Sequence, residues 1–142
     1  MKESPIFLKT HDMLVWLLEH TTKFPKSQRF VMAKRVEESA LNFYDLLIAA
    51  VKDGKPLRHL KAADIELERL RHHVRLCRDL RLLSMGQYEH LSRMLVEIGK
   101  LLGAWIVRSR GGGPKGQAGS SWRLVEQRTE ELSHSQPQQE QP

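Results

Sequence analysis

FPKSQRFVMAKRVEESALNFYDLLIAAV, residues 24–51, opens on a turn at Phe24-Pro25-Lys26 and then sets apolar residues at Ala33, Val36, Ala40, Phe43, Leu47 and Ala50. The gaps are 3, 4, 3, 4 and 3. That is the period of a helix packed lengthwise against other helices rather than across them. Its first half carries Lys26, Arg29, Lys34 and Arg35. One side of this helix is therefore built for burial, and its basic beginning stays wet and open to an acidic partner.

Reading outward finds three more segments of the same kind. Asp53-Gly54-Lys55-Pro56 ends the first helix near Lys52, with a glycine able to adopt positive φ and a proline able to open the next helix. So short a connection makes the flanking helices antiparallel neighbours. From about Leu57 to Leu83 the apolar stripe is Leu60, Ala63, Leu67, Leu70, Val74 and Cys77. Off that stripe lie Arg69, Arg71, Arg75, Arg78 and Arg81. Arg71, Arg75 and Arg78 follow i, i+4, i+7 and so point one way, as a ridge of positive charge or simply a solvated face.

Ser84 with Gln87 is a capping-box pattern that starts a further helix. Tyr88, Leu91, Leu95, Ile98, Leu102 and Trp105 are its stripe. Gly99 and Gly103 interrupt it one turn apart, and a glycine there costs up to ~1 kcal/mol against alanine. The pair implies close approach of another backbone, from this bundle or a neighbouring subunit. Met94, Leu101 and Ile106 add apolar surface that favours self-association. Upstream, Ser4-Pro5 starts a helix with Ser4 as N-cap and a stripe at Phe7, Leu14, Leu17, Leu18 and Thr21. It stops before Phe24-Pro25. Trp16 sits beside this stripe, as the edge of a wide core face or a subunit contact.

Similar helices joined by short turns leave an economical all-α architecture, an up-down-up-down four-helix bundle over residues 1–110. Residues 111–142 form a Gly/Ser/Gln/Pro-rich segment, expected to be a flexible, disordered C-terminal tail. The chain of 142 residues carries a net charge of +6. Its single cysteine, Cys77, allows no intramolecular disulfide and fits a reducing compartment. The N-terminus lacks a signal-peptide pattern, and no apolar run approaches the ~20 residues of a membrane span. A cytoplasmic protein is expected.

Little in the sequence supports catalysis. A di-iron bundle needs Glu-x-x-His pairs on two helices, and the one such pair, Glu131 to His134, lies in the tail. His73 and Cys77 are one turn apart and could share a metal, but no further ligand accompanies them at a metal-site spacing. No phosphate-cradling loop, nucleophile triad or cofactor motif is found. Electrostatics remain. Lys26, Arg29, Lys34 and Arg35, with Arg69, Arg71, Arg75, Arg78 and Arg81 on the antiparallel neighbour, can make a basic surface for nucleic-acid backbone. Phe43, Tyr88 and Trp105 lie on core stripes, so phosphate contacts should dominate over base stacking.

The opening Phe24-Pro25-Lys26-Ser27-Gln28-Arg29-Phe30, with Gln87-Tyr88-Glu89-His90 and Glu97-Ile98-Gly99-Lys100-Leu101-Leu102-Gly103-Ala104-Trp105, resembles the accessory variability proteins (Avd) of diversity-generating retroelements. It is similar also to the wider group of four-helix proteins encoded in intervening sequences of large-subunit (23S) ribosomal RNA genes. The likeness runs roughly from Leu14 to Arg108, and the basic third helix inclines it to the retroelement branch. It implies a homopentamer of four-helix protomers with no catalysis of its own. It also implies binding to the element's reverse transcriptase and to nucleic acid, RNA first and DNA besides, in support of mutagenic cDNA synthesis. The basic positions would then contact RNA or polymerase, and Gly99, Gly103 and Trp105 would serve packing within or between protomers. The alternative is an rRNA-associated protein of the sister branch, without a polymerase partner. A metal-dependent bundle enzyme would need ligands that are missing here.

Overall fold

The structure is a computed structural model that describes residues 4–111; the rest of the tail segment, including its apolar stretch Trp122-Arg123-Leu124-Val125, lies outside the described residues. Helix α1 spans Pro5–Thr21. Helix α2 runs without a break over 26–52, as an α-helical turn Lys26–Gln28, a π-helical segment Arg29–Ala33 and an α-helix Lys34–Lys52. Helices α3, Leu57–Asp79, and α4, Met85–Ser109, complete the bundle. Each helix packs along the next, and α1 closes the ring against α4. This is the up-down-up-down order that short connections dictate.

The 3,4 stripes of α2 and α3 enter the core whole: Ala33 through Ala50 and Leu60 through Cys77 are all buried. On α4 the interior positions Leu91, Leu95, Ile98 and Leu102 are buried, while Tyr88 and Trp105 at its ends are half-buried against the core. Each fully buried leucine or phenylalanine stabilises the fold by roughly 1.5–3 kcal/mol before chain entropy is counted. Helix α1 is rotated from its expected orientation. Its inner face is Ile6, Thr10, Met13, Leu14, Leu17 and Thr21, and Phe7 and Leu18 are only half-buried. The polar Thr10 in the middle of that face hides the periodicity. Met94 and Leu101 are half-buried and Ile106 is buried, so the bundle itself takes up much of this apolar surface.

The turns follow from local chemistry, with corrections. Ser84 Oγ accepts from Gln87 N at 3.1 Å and Gln87 Oε1 accepts from Ser84 N at 2.9 Å, the reciprocal capping box. Ser4 precedes α1 but its side chain makes no capping bond; Pro5 at the first position needs none for its own nitrogen. Gly54 does not take positive φ. Instead Asp53 ends α2 in an extended conformation, and its carboxylate accepts from Lys55 N, His59 and Arg58 at 3.0, 2.8 and 3.0 Å. The Lys55 amide, then His59 and Arg58, hold that carboxyl down at about 2.

Helix α3 stops at Asp79, short of Leu83. Leu82 N donates to Cys77 O at 2.8 Å and Arg81 N to Arg78 O at 2.9 Å, the paired bonds of a Schellman motif. The left-handed position of that motif, normally glycine, is Arg81 at φ 62°. At the end of α4 the corresponding position is Gly111, at φ 61°.

Candidate nucleic-acid interface

The antiparallel order gathers the α1–α2 turn, the start of α2 and the α3–α4 turn at one end of the bundle. Lys26, Arg29, Lys34 and Arg35 are all exposed there on the first turns of α2. Lys34 reaches Glu38 at 3.9 Å, a screened surface pair of little strength. Arg81 is exposed on the neighbouring α3–α4 turn. Arg69, further down α3, is exposed but held by Glu66 at 2.6 Å. Acids stand among these cations: Glu19, Glu37, Glu38, Asp79 and Glu89 are the carboxylates among residues 19–38 and 75–90, with Glu37 accepting from Thr21 Oγ1 at 2.5 Å.

Arg71, Arg75 and Arg78 do share a direction, but it points along the α3–α4 seam rather than into open solvent. Each follows a core residue by one place, Leu70, Val74 and Cys77, which is the flank that meets the adjacent helix. Arg71 is half-buried, donates to Leu95 O on α4 at 3.1 Å and stands 3.7 Å from Glu68. Arg75 is half-buried and engaged within the chain. The Arg78 side chain is only 7 % exposed; it donates to Asp79 Oδ1 at 2.8 and 2.9 Å, and its guanidinium lies 4.8 Å from the centre of the Tyr88 ring. Arg71 and Arg78 thus fasten α3 to α4.

Gly99 is explained by the same seam. A Cβ at Gly99 would run into the Arg71 guanidinium and lie 3.6 Å from Leu67 Cδ2. What approaches the glycine is a side chain, where a backbone was expected. Gly103 is buried on the same face. Trp105 packs within the chain, its ring 6.4 Å from Phe7, which in turn meets Tyr44 edge-on at 6.1 Å. Trp16 stacks on His20 at 3.7 Å, and His90 is 5.3 Å away.

Burial, then the positive charge of Arg35, push the His73 imidazole below its ordinary value, so it adds no charge to this surface at neutral pH. Burial pushes the Cys77 thiol up to about 11, which leaves it a small apolar core group rather than a thiolate. Among the described residues no three of His, Cys, Asp and Glu come together as a metal site. No described helix is long and apolar enough to cross a membrane.

Two residues of this end escape a reading by periodicity. Phe30 is 81 % exposed in the π-helical segment, although stepping back one α-helical turn from Ala33 places it on the inner face. No residue pattern marks the wider turn that displaces it. Arg81 stands in a conformation that costs a non-glycine residue roughly 1–2 kcal/mol. Strain kept at a surface position points to a use for the side chain. Arg81→Gly is expected to hold or raise the melting temperature by a few degrees while weakening nucleic-acid binding about 5- to 10-fold near 0.1 M salt. Thermal melts and a binding titration of the one variant check both halves.

Fold and surface together define a four-helix bundle that exposes cations at both ends, those of the α1–α2 end including Lys26, Arg29, Arg35 and Arg81, with no metal-type cluster among the described residues. The chain belongs to the bAvd-like family, whose model matches residues 6–109. It is thus a protein of the accessory variability type, and that family is an accessory, non-catalytic one. No curated protein matches the chain.

Proposed function

We propose that the protein is a cytoplasmic, non-catalytic accessory subunit of a diversity-generating retroelement. It joins the element's reverse transcriptase to template RNA through the basic end of the bundle and so supports mutagenic cDNA synthesis. One observation carries this reading: Lys26, Arg29 and Arg35 on α2 and Arg81 on the adjoining turn are all exposed and form no ion pair among the described residues. A cation left in water is free to displace counterions from a phosphate backbone, whereas one sunk in a helix seam is not. Arg69 lies at the margin of the surface. Arg71 and Arg78 are engaged within the bundle, with Leu95 O and with Asp79 and Tyr88.

Self-association belongs to the same reading, with the pentamer as the form that the resemblance implies. Leu41 and Ile48 on α2, and Ile65 and Leu76 on α3, are 42, 42, 56 and 48 % exposed. Each pair recurs at a helical spacing, seven and eleven residues apart, which makes an apolar row on an outer face.

Co-expression with the reverse transcriptase encoded beside the gene tests the proposal. The two should co-purify, and cDNA should appear only when both are present. Binding of a duplex should weaken with salt at a log–log slope of about −0.9 per phosphate contacted, and of a single strand at about −0.7. A flat salt dependence would show that phosphates are not what the surface recognises. Binding to rRNA fragments without capture of the polymerase would assign the chain to the sister branch.

A further inference from the structure

We infer that Phe30 is a stacking platform for an unpaired base, so that the basic end of the bundle takes single-stranded nucleic acid in preference to duplex. The inference rests on the nucleic-acid reading above and names the form of the ligand. Phe30 is 81 % exposed, more than any other large apolar side chain among the described residues. Phe24, six residues earlier, is 3 % exposed in the core. The two rings of the Phe24-to-Phe30 stretch thus serve opposite ends, one closing the bundle and the other standing in water.

The π-helical segment Arg29–Ala33 brings this about. Its wider turn buries Met32 and Ala33 while turning Phe30 and Val31 outward. Such turns are uncommon and cluster at functional sites. Lys26 stands one turn before Phe30 and Lys34 one turn after it, with Arg29 adjacent, and all three are exposed. A ring flanked along the helix by cations matches a strand whose bases and phosphates alternate: a base covers the ring while neighbouring phosphates meet the ammonium and guanidinium groups. A protein pocket closing over Phe30 would have to strip water from those same cations. A stacked duplex offers phosphates but no free base face.

The test uses the full-length protein and three labelled probes: a single-stranded oligonucleotide, the same length of strand with abasic sites, and a duplex. Phe30→Ala should lower affinity for the ordinary single strand between about fivefold and a hundredfold. It should leave the abasic strand, the duplex and the salt slope unchanged. Phe30→Trp should keep single-strand affinity, and Phe30→Leu, apolar but not aromatic, should behave like Phe30→Ala. If Phe30→Ala binds all three probes as the parent does while Lys26→Glu with Arg29→Glu loses them, the stacking inference fails and the basic-end reading survives. If the parent protein binds none of the probes at low salt, both fail. A change in oligomer mass or polymerase capture without a change in strand affinity would place Phe30 in a protein contact and overturn the inference.

Discussion

Lys26→Glu, Arg29→Glu and Arg35→Glu combined are expected to reduce nucleic-acid affinity by about 100- to 1,000-fold near 0.1 M salt while the bundle stays folded. The size follows from counterion release. Each phosphate contact contributes about 0.9 to the log–log salt slope on duplex, or close to an order of magnitude at 0.1 M. Removing three such contacts should also flatten the slope by roughly 2 to 3. The fold should not object. All three side chains are exposed, and substitutions at exposed positions usually stay within about 0.5 kcal/mol. Carboxylates at 26 and 29, in the first turn of α2, also suit the positive end of its helix dipole. The neutral set Lys26→Gln, Arg29→Gln, Arg35→Gln should lose less affinity than the reversed set, because it removes attraction without adding repulsion. Titrations at several salt concentrations, with thermal melts of the same samples, decide the matter. Affinity within about threefold of the parent would remove this surface from the nucleic-acid contact.

How much of this was legible beforehand depends on which physical signal each residue leaves. The stripes of α2, α3 and α4 could be read because burial selects apolar residues at 3,4 spacing, and the core follows them from Ala33 to Leu102. The inner face of α1 was harder, because Thr10 is fully buried in it and breaks the apolar run. Periodicity gives the shared direction of Arg71, Arg75 and Arg78 but says nothing about what lies in that direction. Only the placement of α4, with Gly99 leaving room for Arg71, reveals that the direction is a seam. The π-helical segment and the left-handed Arg81 leave no mark in composition or spacing at all. Phe30 therefore emerges from backbone geometry, whereas Lys26, Arg29, Lys34, Arg35 and Arg81 emerge from charge alone, the structure adding only the left-handed backbone of Arg81.

Arg78→Glu is expected to behave in the opposite way to the α2 reversals, by unfolding the bundle before it can speak about binding. The arginine is 7 % exposed, bonded twice to Asp79 and laid over Tyr88, so it links the end of α3 to the start of α4. A glutamate there would set a second carboxylate beside Asp79 and against the negative face of an aromatic ring. The cost lies in the new carboxylate: sunk unpaired at a position only 7 % exposed, it costs several kcal/mol, about 3 or more. At about 4–8 °C per kcal/mol for a domain near this size, the melting temperature should fall by at least about 12 °C. Arg78→Met supplies the control, since its unbranched chain keeps the packing of the stem. Asp79, whose side chain is 51 % exposed, can return to water when its partner is gone. Arg78→Met should therefore melt within a few degrees of the parent and keep its nucleic-acid affinity. Calorimetry and strand binding on the two variants separate the roles. If Arg78→Glu melted like the parent and yet lost the strand, the guanidinium would have been facing the ligand, and Arg71, Arg75 and Arg78 would return as an outward ridge.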